Sequence, residues 1–84
     1  MTEEERNMKI FSMLNYWLPV RWTDGVDWWE IKNMSATGTV EAGGAELMVS
    51  KNDAEVVPIS FTNAELYGEA TLSPEAAKAR VMAV

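Results

Sequence analysis

Between Val20 and Leu72, apolar and polar residues alternate in short runs, and residues suited to tight turns separate the runs. An amphipathic helix repeats its apolar residues every three or four positions. Period-two alternation therefore calls for strands that bury one face. Three hairpins follow. Asp24-Gly25 is a preferred two-residue turn that pairs Thr23 with Val26, Trp22 with Asp27, Arg21 with Trp28 and Val20 with Trp29. Val20, Trp22, Trp29 and Ile31 then share a core face, while Arg21, Thr23, Trp28 and Glu30 take the other. Asn33 and Ser35 begin a polar break. Gly43-Gly44 is the second turn, with Val40, Ala42, Ala45, Leu47 and Val49 inward and Glu41 set opposite Glu46 outward. Thr62-Asn63 is the third. Val57, Ile59 and Phe61 lead in, and Ala64, Leu66, Gly68, Ala70 and Leu72 return on the same side, with Gly68 opposite Val57. Pro58 cannot donate to a ladder, so its strand belongs at a sheet edge or carries a bulge.

Helical signals bracket this stretch. Thr2 followed by Glu5 is a capping box, and Glu3 and Glu4 favour the positive end of a helix dipole. Ile10, Leu14 and Trp17 share one helical face, and Pro19 ends the run, which predicts a helix from Glu3 to about Trp17. Ser73-Pro74-Glu75 supplies an N-cap, a first-turn proline and a first-turn acid, predicting a helix from about Pro74 to Met82 that presents Ala77 and Val81. The expected fold is α+β: a single domain over residues 1–84, its antiparallel sheet of five to six short strands flanked by an N-terminal helix and a short C-terminal helix.

Composition narrows function by removing chemistry. The 84 residues include no cysteine and no histidine. Thiol nucleophiles, imidazole bases, disulfides and zinc sites built on either side chain are thereby excluded. Asp24, Asp27 and Glu30 form the densest carboxylate group beyond the first turn. Their spacing is too short for a twelve-residue calcium loop, and turn chemistry already accounts for the first two. Gly43-Gly44 lacks both the lysine of a phosphate loop and dinucleotide spacing. The expectation is no enzyme, no cofactor and no metal. Thirteen acids against seven bases give a net charge of −6, which argues against free nucleic acid and anionic membrane as partners. The acidic Thr2-Glu3-Glu4-Glu5 start differs from a basic secretory leader, and a cytoplasmic location is expected.

Two surface features remain. Alternation places Trp28 away from the core beside Arg21, in cation–π reach and with the composition of a binding hot spot; cover by the C-terminal helix is the competing reading. Residues 33–72 carry six acids and one base, and on the expected strands Glu41, Glu46, Glu65 and Glu69 form one acidic face around Tyr67. A solubility role would explain such a face. A docking role would make the chain a small non-enzymatic module that binds a larger basic protein and inhibits or modulates it, in the manner of phage or mobile-element inhibitors of nucleic-acid-handling enzymes. The alternative is a self-associating assembly subunit, a homodimer in its simplest form. The expected protein-binding residues are Arg21, Trp28, Glu41, Glu46, Glu65, Tyr67 and Glu69.

Overall fold

The computed structural model describes residues 1–84. The chain forms α1 (Glu3–Trp17), β1 (Arg21–Thr23), β2 (Trp28–Gly38), β3 (Gly43–Lys51), β4 (Val57–Thr62), α2 (Asn63–Tyr67) and α3 (Pro74–Met82). The strands make one antiparallel meander in the order β1-β2-β3-β4. Trp22, Trp29, Ile31, Ala45, Leu47, Val49 and Phe61 line one face of it. Ile10, Leu14 and Trp17 of α1, Leu66 of α2, and Ala77 and Val81 of α3 close over that face. The other sheet face carries no second layer, as is common for antiparallel sheets.

Both terminal helices have the expected bounds and caps. The Thr2 hydroxyl accepts the Glu5 amide at 3.1 Å while the Thr2 amide donates to the Glu5 carboxylate at 3.2 Å. The Ser73 hydroxyl accepts the Ala76 amide at 3.1 Å, and Pro74 occupies the first turn.

The sheet has four strands, not five or six. The missing return strand is α2 and the turn after it. Thr62 and Glu65 make a second capping box that satisfies the first amides of a helix just where the chain leaves β4. Leu66 is thereby buried under the core rather than on a ladder. Gly68 caps α2 and does not face Val57; a Cβ there would press on the Ala64 Cα. Val57 itself is largely exposed, Ile59 half-buried and Phe61 buried. β4 is the outer strand, as Pro58 requires.

The first two turns also move. The β1–β2 connection is a four-residue loop, Asp24–Asp27, because the Asp24 carboxylate accepts the amides of both Val26 and Asp27 at 2.8 Å. Trp22 now faces Trp29 and Arg21 faces Glu30. A shift of two residues leaves the side chains of Arg21–Thr23 and Trp28–Ile31 on their expected faces, so Trp22 and Trp29 stack in the core with ring centroids 6.3 Å apart. Val20 precedes the strand and is exposed rather than core.

The second loop is Thr39–Ala42, and Gly43-Gly44 lies inside β3. Their lack of side chains serves close approach rather than a turn: a Cβ on Gly44 would overlap the Phe61 carbonyl, and one on Gly43 would come within 2.6 Å of the Thr39 carbonyl. Gly38, at φ +64°, starts the loop instead. Asn33 and Ser35 do not break β2, which continues through a bulge between Ile31 and Asn33. Beyond the bulge Met34 and Ala36 face the core side.

α1 is fastened to this loop by a buried cation. Arg6 is 2 % exposed. Its guanidinium donates to the carbonyls of Thr37 (2.7 Å), Gly38 (3.1 Å) and Thr39 (3.3 Å) and to the Glu3 carboxylate (2.9 Å). Glu3 also accepts the Val40 amide at 3.2 Å, and the Asn63 side chain donates to the carbonyls of Thr39 and Val40. Charge-assisted bonds of this number compensate burial of the arginine.

Candidate functional site

Trp28 opens β2 and points to the uncovered sheet face. It is 43 % exposed, and α3 packs on the opposite side, where Lys78 lies 5.7 Å from the Trp22 ring. Its place is held by the β3–β4 loop. The Asn52 side chain accepts the Trp28 amide at 2.9 Å, and the Asn52 amide donates to the Trp28 carbonyl at 2.8 Å. Asn52 and Asp53 both adopt positive φ, 54° and 59°, which Asn and Asp tolerate better than most residues. The Arg21 guanidinium sits 4.8 Å from the Trp28 ring centroid. Thr23 is the residue directly opposite Trp28, so Arg21 reaches the ring diagonally. Arg21 also bonds Glu30 at 2.9 Å and Asp53 at 3.3 Å. Those two carboxylates, Asp53 foremost, hold its proton more tightly than in a free arginine.

The carboxylates of this end are each employed. Asp24 bonds the amides of Asp27 and Val26, which lower its pKa. Asp27 accepts from the Asn52 side chain at 2.9 Å and faces Lys51 at 3.8 Å. Glu30 takes Arg21 and Lys32.

The four glutamates expected on one sheet face do not share one. Glu46 projects from the middle of β3, between Ser35 and Ser60 rather than opposite Glu41. Glu41 stands in the β2–β3 loop, and Glu69 lies in the turn after α2. Glu65 belongs to α2 and pairs with Arg80 of α3 through both carboxylate oxygens. That arginine, followed by the Thr62 amide, lowers the Glu65 pKa to about 2, and Glu65 in turn raises that of Arg80. Tyr67 is half-buried against the core cluster. The physical reasons are two: α2 and its turn replace the strand expected for Glu65 and Glu69, since a helix cannot alternate its side chains between two faces, and the Thr39–Ala42 loop takes Glu41 off the sheet.

Sequence reasoning also missed a surface on α1. Met8 is 66 % exposed and Tyr16 73 % exposed. With Met13 and Tyr67 they line a shallow groove whose polar residues are Glu5, Lys9 and Ser12. The spacing 8, 12, 16 marks a stripe opposite Ile10, Leu14 and Trp17, and apolar residues there are the available signal.

Charge pairing is the more informative pattern. Arg6, Arg21, Lys32, Lys51 and Arg80 are all tied to carboxylates within the molecule. Lys9 and Lys78 make no ion pair, whereas Glu4, Glu5, Asp24, Glu41, Glu46, Glu55, Glu69 and Glu75 are acids without one. The whole net charge of −6 is thus carried by unpaired groups.

No protein-family model matches the chain, and no curated protein or solved structure does either. No helix is long and apolar enough to cross a membrane.

Proposed function

We propose that this chain is a non-enzymatic protein-binding module for a partner with a basic surface, which it occupies and thereby inhibits or modulates. The observation that carries this reading is the partition of charge. Internal pairs consume five of the seven cations, so the field outside the molecule is that of unpaired carboxylates. Such a field raises the encounter rate with a basic partner and repels acidic ones. The half-exposed Trp28, braced by Arg21, supplies an aromatic anchor of the kind that dominates interface energies.

Glu65 contributes through the fold, since reversing it would break the Arg80 pair. Glu41, Glu46 and Glu69 are free of ion pairs and are the residues to reverse. The test is affinity capture from the native cell lysate with stepped salt, using the wild type beside the combined Glu41→Lys, Glu46→Lys, Glu69→Lys variant. A basic partner held by the wild type, released by rising salt and lost in the variant supports docking. The same proteins on both baits, or none on either, overturns it.

A further inference from the structure

We infer that β2 carries a self-complementary open edge, through which two copies of the chain pair about a two-fold axis at Ser35. β1 faces only Trp28–Glu30 of β2, and the Ile31 amide closes that side on the Val20 carbonyl at 2.9 Å. From Lys32 to Ala36 no strand lies on this side, and the residues are exposed or half-buried; at Thr37 and Gly38 the stretch ends, because Arg6 takes both carbonyls. An uncovered edge of this length is a template for another strand.

Register identifies the occupant. An antiparallel pair centred on Ser35 sets Met34 opposite Ala36 of the second copy, Asn33 opposite Thr37 and Lys32 opposite Gly38. Apolar meets apolar on the core side, polar meets polar on the outer side, and the single charge meets a residue without a side chain. Cross-strand like-charge repulsion is therefore absent from the seam. The stretch 32–38 holds no acid, although the chain as a whole carries −6. This is the composition needed where two acidic molecules touch. It is also the wrong composition for a basic partner, since the only charge on offer is Lys32. Pairing at β2 would join the two four-stranded sheets into one of eight strands through an isologous, closed contact.

The test is sedimentation velocity of the full chain over a wide concentration range, with Ser35→Lys as the probe. Within one chain, residue 35 faces Glu46, so the lysine meets an opposite charge and the fold is retained; circular dichroism and the melting temperature check this. Across the axis it meets its own copy, and association should weaken about fivefold or more. Because the chain has no cysteine, Ser35→Cys adds a second readout: an interchain disulfide under mild oxidation, absent for Glu55→Cys. A wild type that stays monomeric throughout, a dimer indifferent to Ser35→Lys, or open-ended oligomers each overturn the proposal. So does a monomer whose 32–38 amides shift with an oligolysine peptide, which would give the edge to an extended basic partner.

Discussion

The two outer boundaries of the sheet are built differently. Along β4, Pro58 removes one backbone donor, and Arg80 donates to the Ser60 carbonyl at 3.1 Å while bound to Glu65. The boundary on the β2 side has β1 for three residues, then a bulge, then an uncovered stretch that ends at the Arg6 clamp on Thr37, Gly38 and Thr39. One edge is blunted by side chains from three elements. The other is held in shape at its ends and left accessible between them. A small domain that needed only solubility would be expected to blunt both, and the uncovered stretch of β2 is where the proposed pairing of two copies is to be tested.

Four changes test how firmly each boundary is built. The largest effect is expected from Gly44→Val. Its Cβ would drive into the Phe61 carbonyl and push β4 from β3, so urea denaturation should show a loss of about 3 kcal/mol or more. Arg6→Met keeps the apolar stem but removes the guanidinium. It should cost about 2–3 kcal/mol and speed hydrogen exchange at the Val40 amide; unchanged exchange would mean that the clamp does not hold the loop.

Glu65→Gln comes next, since it loosens the Arg80 cover on β4. The folded pKa of about 2 lies below the ordinary 4.5, so the carboxylate stabilises the fold above pH 4.5, and that contribution disappears as pH falls from there toward 2. Because Arg80 is partly exposed, the loss at neutral pH should be about 1–2 kcal/mol. Urea midpoints measured from pH 7 to pH 2 should fall more steeply in the wild type than in Glu65→Gln, with parallel curves refuting the assignment. The smallest change in stability belongs to Pro58→Val, within about 0.5 kcal/mol, but it restores an edge donor. Sedimentation should then show new, open-ended association through β4. If none appears, Arg80 alone suffices to blunt that edge.

The same comparison explains what could be read in advance. The cap Thr2-x-x-Glu5 and the cap Thr62-x-x-Glu65 are the same signal, yet only the first stands before an unambiguous helical stripe. After Thr62, Ala64, Leu66 and Ala70 fit a period of two, and a five-residue helix is too short to display its own period. Gly43-Gly44 likewise fits a turn by composition. Its use for backbone contact with β4 depends on a strand far along the chain. Among the proposed binding residues, the exposure of Trp28 and its neighbour Arg21 followed from strand alternation, which survived a two-residue change of register. The acidic face did not survive, because it rested on a strand that α2 replaces and on a Gly43-Gly44 turn that the Thr39–Ala42 loop replaces.

Local chemistry in the sequence determined the two terminal helices, the inward faces of β1, β3 and β4 and of β2 as far as Ile31, the edge position of Pro58 and the excess of acid. These depend on caps, alternation, a missing donor and a charge count, all legible within a few residues. Only the tertiary structure decided which acids are neutralised, which glycines turn and which approach a neighbour, and which strand edge is left open. Each of those depends on partners distant in the chain, as Arg6 is from Thr37 and Glu65 from Arg80, and no local pattern encodes the meeting.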